Sequence, residues 1–205
     1  MISGCFRGVL TDLNITGRFA MKLNKLMVIG VLMFHAVLAV AEQAPERVKQ
    51  LAENLKTWGE NPVLVAAVKA QNAEKQTLEQ IKQRDETWSN TSGVDAYMQK
   101  LMSNQAAVEL RRLEQSEPYY FELFLMDDQG ANVAMTNKTS DYWQGDEAKF
   151  TESFHGGQGA VHISEVEFDE SAQAYLVQVS VPVMEAGSAI GALTIGINVD
   201  ELEAH

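Results

Sequence analysis

The spacing of apolar residues changes once along this chain, at Pro118, and that change fixes what can be built on either side. Before it, Val48, Leu51, Leu55 and Trp58 recur at intervals of three and four, tracing one face of a helix. Gly59 closes that stretch. Asn61-Pro62 restarts it, with Asn as N-cap and Pro at the first helical position. Leu64, Val68, Leu78, Ile81 and Trp88 carry an apolar stripe onward to a break at Ser89-Asn90-Thr91-Ser92-Gly93. A further helix turns Val94, Tyr97, Met98, Leu101 and Met102 inward, Leu110 and Leu113 extend it, and Pro118 stops it.

From Tyr119 the period is two. Strands are expected over 119–126, 131–136, 161–168, 174–184 and 189–199, with a short helix over 146–154. Asp127-Asp128-Gln129-Gly130, Asp169-Glu170-Ser171 and Glu185-Ala186-Gly187-Ser188 are the turns between them, and Gly156-Gly157-Gln158-Gly159 a flexible loop. In the fourth strand Tyr175, Val177, Val179 and Val181 share a face, opposite Gln178 and Ser180. In the fifth, Leu193, Ile195, Ile197 and Val199 share a face, opposite Ala192, Thr194 and Asn198. The fold class is α+β: long N-terminal helices packed on a five-stranded antiparallel sheet. One sheet face is greasy enough to lie under the helices, and the other suits the floor of a cavity.

Ahead of that domain stands an export signal. Met21-Lys22-Leu23-Asn24-Lys25 is a short basic start, Leu26 to Val40 a nearly unbroken apolar run, and Ala39-Val40-Ala41 a small-x-small cleavage pattern. The apolar run is shorter than the ~20 residues a bilayer-spanning helix needs. Met21 is thus read as the true start and residues 1–20 as an upstream mis-start. Residues 21–41 are the signal peptide, cut after Ala41, and residues 42–205 the mature domain, helical over 42–118 and sheet over 119–205. The expected location is the periplasm; the rival reading keeps the signal uncleaved as an anchor. The sole cysteine, Cys5, falls in the discarded region, so a mature chain has no disulfide and relies on its apolar core.

Charge is uneven. Residues 42–112 carry 10 Lys/Arg and 10 Asp/Glu, whereas residues 113–205 carry only Lys138 and Lys149 against 17 Asp/Glu. So acidic a half repels phosphate backbones and anionic lipid, which argues against a nucleic-acid partner. A surface tuned for solubility and a pocket biased towards cationic or zwitterionic ligands both fit this charge.

Catalytic signatures are missing. The sequence has no Gly-x-Ser-x-Gly elbow, no His-Glu-x-x-His, no phosphate-binding loop and no cysteine pair. His155 and His162 flank the glycine loop, but nothing in their spacing brings carboxylates round them as a metal site requires, and no cofactor is expected. The densest chemistry lies in Thr139-Ser140-Asp141-Tyr142-Trp143-Gln144-Gly145-Asp146-Glu147, where two aromatics sit among polar residues, as in many small-ligand sites. Equally, Trp143 is a plug for the core end and Asp146 the cap of the following helix.

Five segments, in order, resemble a single Cache domain, the extracytoplasmic PAS-like sensor of bacterial receptors. They are Asp127-Asp128-Gln129-Gly130-Ala131-Asn132-Val133-Ala134, Ser140-Asp141-Tyr142-Trp143, Phe168-Asp169-Glu170-Ser171, Val179-Ser180-Val181-Pro182-Val183 and Ile190-Gly191-Ala192-Leu193. The resemblance covers about Ala44 to Glu201 and implies a long helix on a five-stranded PAS-like sheet. It also implies a small metabolite as ligand, an amine, amino acid or similar. By that resemblance Tyr142 and Trp143 form the pocket wall and Asp169 receives a ligand ammonium; Asp141 beside the aromatic pair and Gln178, on the polar face of the fourth strand that suits a cavity floor, complete the ligand-binding candidates. Amino-acid-binding members place an arginine just before the Trp of the aromatic motif; here no arginine follows Arg112, which favours a cationic or neutral ligand.

The expected role is a non-enzymatic sensor acting in signal transduction. It works through a separate membrane receptor or other signalling protein, with the N-terminal helices as a homodimer face. Two other readings stand beside it: an interaction module without a ligand, and a hydrolase with Asp169 or Asp141 as base beside His155 or His162.

Overall fold

The computed structural model describes residues 45–170 and 173–205. The upstream segment, the signal peptide and its cleavage point all lie outside the described residues, as does Ser171. The described residues form seven α-helices and a six-stranded antiparallel sheet: α1 (Glu46–Leu55), α2 (Pro62–Ala73), α3 (Leu78–Asn90), α4 (Ala96–Ser103), α5 (Gln105–Glu114), β1 (Tyr120–Met126), β2 (Asn132–Met135), α6 (Ala148–Phe154), β3 (His162–Ile163), β4 (Glu167–Asp169), β5 (Ala174–Glu185), β6 (Ser188–Asn198) and α7 (Val199–Ala204). The sheet order is β2-β1-β6-β5-β3, with β4 also paired to β5. The α+β class and the strand order along the chain agree with the sequence reading.

Turn chemistry decides the hairpins. At the β1–β2 turn the Asp127 carboxylate accepts from the backbone N–H of Gln129 and of Ala131, both at 2.9 Å, and Gly130 takes the left-handed conformation, φ 82°. At the β5–β6 turn Ala186 and Gly187 both have positive φ, the two-residue geometry that suits the twist of flanking strands.

Two apolar cores lie on the two faces. Leu123 and Leu125 of β1, Val177, Val179, Val181 and Val183 of β5, and Leu193, Ile195 and Ile197 of β6 pack with α1, α2 and α5 through Val48, Leu55, Leu64, Val68, Ala107 and Leu110. On the opposite face Phe124, Met126 and Ala192 pack with Ile81 and Trp88 of α3, Met98 and Leu101 of α4, Tyr142 and Phe150. Each large apolar side chain removed from water contributes roughly 1.5–3 kcal/mol, and these two clusters are the main stabilising element of a fold without disulfides.

The structure corrects four boundaries. The expected long helices are shorter: the stripe from Leu64 to Trp88 breaks between α2 and α3, where Thr77 and Gln80 form a reciprocal capping box. Lys75, in the left-handed region, turns the chain there, and Leu78 is exposed. A second break separates α4 from α5 at Asn104, whose side chain accepts from Ala107 N–H (2.8 Å) and donates to the Val133 carbonyl (2.9 Å). The expected third strand is two short ones, because the Ser164 hydroxyl, not a backbone carbonyl, takes the N–H of Gln178 (2.9 Å). Hence six strands and not five. The last strand ends at Asn198, which caps α7 through its side chain and Glu201 N–H. Among the described residues no helix is long and apolar enough to cross a membrane.

Candidate functional site

Alternation in β1 sends Glu122, Phe124 and Met126 to one face, and in β5 it sends Leu176, Gln178 and Ser180 to the same face. Helix α6 packs over β5 and β6 on this side. Between them lies a cavity of about 350 Å³. Its lining includes Glu122 of β1, Gln178 of β5, His162 of β3, Asp169 of β4 and Lys149 of α6.

Glu122, Gly196 and Gln178 stand in register on β1, β6 and β5. A Cβ on Gly196 would come within 2.7 Å of Glu122 Cγ, so only glycine at the middle position lets the Glu122 side chain lie across β6. It meets Gln178 there, Nε2 donating to Oε1 at 3.3 Å. One step further along the same face Ser180 and Thr194 share a hydroxyl–hydroxyl bond of 2.8 Å, fully buried. Glu122 and Gln178 thus line the cavity, and the Ser180–Thr194 pair continues the polar pairing beneath it, inside the core.

Burial raises the Glu122 carboxyl above its ordinary pKa, the Gln178 hydrogen bond and the Lys149 charge oppose that, and the carboxylates of Asp169 and Glu114 add to it. Lys149 Nζ lies 3.1 Å from a Glu147 carboxylate oxygen and 5.5 Å from the centre of the Phe124 ring, within cation–π range. His162 is shifted the other way: desolvation lowers its pKa and favours the neutral imidazole, against the field of Glu152. The cavity therefore carries an excess of carboxylates, with Lys149 as its charged base.

The aromatic motif lies elsewhere. Tyr142 is entirely buried in the core cluster of that face, its hydroxyl 3.2 Å from the Tyr97 hydroxyl and its ring tilted on Trp88. Trp143 is half-buried and donates its indole N–H to the Gln129 carbonyl (2.8 Å), with Lys82 Nζ 4.5 Å from the ring centre. Asp85 of α3 holds this segment, one carboxylate oxygen accepting from the N–H of Tyr142 (2.8 Å) and of Trp143 (2.9 Å). Asp141 accepts from the Ser89 hydroxyl, and together with Trp143 and Asp146 it lines an open groove beside α3.

The five sequence-named residues thus fall in three places. Asp169 and Gln178 share the cavity, Asp141 and Trp143 share the groove, and Tyr142 is core; Glu147 borders both cavity and groove. Asp146 does not cap α6, whose N-cap position is Glu147 without a side-chain cap. Glu122 and Lys149 escaped the sequence reading. A lone Glu within Tyr-Phe-Glu-Leu-Phe-Leu-Met was the available signal, but its partner becomes visible only once β1 and β5 are set either side of β6. Among the described residues no group of three or more His, Cys, Asp or Glu is placed to hold a metal ion. The arrangement is suited to holding a small polar cation against a partly desolvated carboxylate.

No protein-family model and no curated protein sequence matches the chain. Solved structures do. The sensory domain of the Campylobacter jejuni chemoreceptor Tlp3 is 15% identical with a TM-score of 0.40, covering 77% of this chain and 64% of that one. The ligand-binding domain of the Pseudomonas aeruginosa amino-acid chemoreceptor PctC, in complex with GABA, is 12% identical with a TM-score of 0.36, covering 77% and 64%. The sensor domain of the V. cholerae histidine kinase DctB is 16% identical with a TM-score of 0.33, covering 77% and 60%. This chain spans less than two thirds of each. All three are sensory or ligand-binding domains. The superpositions are loose, and the architecture rests on the strand order and register given above.

Proposed function

We propose that this chain is an extracytoplasmic sensor or binding domain of the Cache type, which captures a small metabolite and signals through a separate protein without catalysing a reaction. The observation that carries the reading is the cavity between α6 and the sheet, where Asp169 and Gln178 meet Glu122. Ligand binding there favours whichever arrangement of α6 and sheet holds the ligand more tightly, and a membrane receptor or other signalling partner reads that shift. The export signal over 21–41 supports a periplasmic site of action, and the N-terminal helices offer a homodimer face. The test is a thermal-shift screen of amines, amino acids and organic acids against the protein, since a ligand that prefers the folded state raises its transition temperature. A flat response across all three classes removes the sensor reading.

One observation favours a second reading. Tyr142 and Phe150 already fill much of the face that carries the cavity, which is what an interaction module without a ligand would show. A flat screen together with capture of a second protein selects it.

A further inference from the structure

Helix α2 is apolar nearly all the way round. Its polar residues are Lys69, Gln71 and Asn72, and two of them turn inward: Gln71 donates to the Asp127 carboxylate (2.9 Å) and Asn72 to the Ile190 carbonyl (2.8 Å). Leu64 and Val68 are buried in the core, yet Pro62, Ala66, Ala70 and Ala73 are exposed. A helix that is hydrophobic on both sides is ordinarily covered on both. Beside α5 this helix forms a groove of about 420 Å³ lined by Pro62, Val63, Ala66, Ala67, Gln105 and Ala106. One turn along α5 from Gln105 stands Val108, at 60% the most exposed large apolar side chain among the described residues.

Resting on the reading of the N-terminal helices as a homodimer face, we propose that the groove between α2 and α5 receives a second copy of this chain, with Val108 of each copy seated in the groove of the other. Knob and hole lie side by side on one surface, the self-complementary layout that a two-fold axis requires. Charge selects the same face. The chain carries a net −12, and residues 113–205 hold 2 Lys/Arg against 17 Asp/Glu, so copies meeting through the sheet half would set like charges together. Residues 42–112 are balanced, at 10 of each sign. Within that half α1 and α3 turn charges outward, the pairs Lys49–Glu46 and Lys56–Glu53 at α1 and the exposed Glu79, Lys82 and Glu86 on α3. The charges beside the groove are already neutralised, Lys69 by Glu185 and Arg112 by Glu109. Size sets the strength. A patch about 18 Å long and about 20 Å wide offers roughly 400 Å² per copy, half of the ~800 Å² that a standard stable interface buries. The dimer is therefore weak and reversible.

The experiment is sedimentation equilibrium of the protein from about 10 µM to about 1 mM, the range in which an interface of this size associates. A reversible monomer–dimer equilibrium is expected, and added salt should tighten it, because screening removes the repulsion between acidic copies. Val108→Ser, which removes the knob, and Ala66→Gln, which fills the hole without adding charge, should each weaken dimerisation by about tenfold or more. Both positions are exposed, so neither change should unfold the protein. Tyr175→Ser, at a 51% exposed aromatic of the sheet half, should leave dimerisation as it is. A monomer at every concentration overturns the proposal and leaves the groove to the chain upstream of Pro45 or to a different protein. A dimer that survives both groove variants, is lost in Tyr175→Ser or dissolves in salt overturns this face. None of these outcomes bears on the thermal-shift screen, so the sensor reading stands or falls separately.

Discussion

Glu122 and Gln178 lie on strands that are not neighbours, yet their side chains meet at 3.3 Å over the bare backbone of Gly196. The contact needs a β6 residue without a side chain and two polar residues in register on either side of it. Substitution at any of the three should be felt at the other two.

That coupling is measurable. Gly196→Ala places a methyl group against Glu122 Cγ and should destabilise the protein by about 1–3 kcal/mol, the usual cost of overpacking. In a Glu122→Ala background the same change should cost less, by an interaction energy of about 0.5–3 kcal/mol in a double-mutant cycle from urea unfolding. Simple additivity would show that the two side chains do not constrain each other.

Glu122 also gives the stability a pH dependence of known sign. Its folded pKa is raised above the reference 4.5, so the folded protein binds the proton more readily than the unfolded chain. Its contribution is then fully favourable only below 4.5 and is lost as pH rises through the raised value. Glu122→Gln, which cannot ionise, should raise the melting temperature at pH 7 by roughly 2–4 °C per kcal/mol recovered. The gain should shrink towards zero as the pH approaches 4, followed by circular dichroism. A gain that grows with acidification would reverse the sign.

Asp85 offers a different test, because one oxygen accepts two backbone N–H groups from a segment remote in sequence. Asp85→Ala leaves both donors without that partner, at a cost of about 1–3 kcal/mol each where they stay buried. Amide hydrogen exchange at Tyr142 and Trp143 should accelerate in this variant while exchange in β5 and β6 is preserved. Unchanged protection at the two amides would mean that other groups hold the segment.

The two aromatics of the motif should behave unlike each other. Tyr142→Ala empties a fully buried site and should cost about 3–5 kcal/mol, as large-to-small changes of aromatic core residues do. Tyr142→Phe removes only the bond to the Tyr97 hydroxyl and should cost about 1 kcal/mol. Trp143→Ala, at a half-buried position, should cost clearly less than Tyr142→Ala by urea denaturation. Equal costs would contradict their different burial.

The change of period at Pro118 was enough to read the α+β architecture, because burial on one face leaves a record every second residue in a strand and every third or fourth in a helix. Asn61, Asp127 and the Ala186-Gly187 turn were equally legible, since each acts through its own side chain or backbone over two to four residues. The breaks at Thr77 and Asn104 were missed for a physical reason. Val68 and Leu78 are ten residues apart, close to three helical turns, so the stripe continues through a chain that does not. The capping box of Thr77 and Gln80 was the local signal that outranks it. Gln178 and Asp169 were assigned to the cavity, whereas Glu122 depends on register across three strands, which no local pattern encodes. Tyr142 shows the converse: a polar neighbourhood in sequence surrounds a side chain that the third dimension encloses in apolar neighbours.

The grip of Asp85 on Trp143 has a mechanical corollary. From Trp143 to the first residue of α6 the backbone runs only five residues, about 17 Å at full stretch. The outer wall of the cavity is therefore on a short leash whose far end is nailed to α3, so it can pivot over an occupant but not drift away from it.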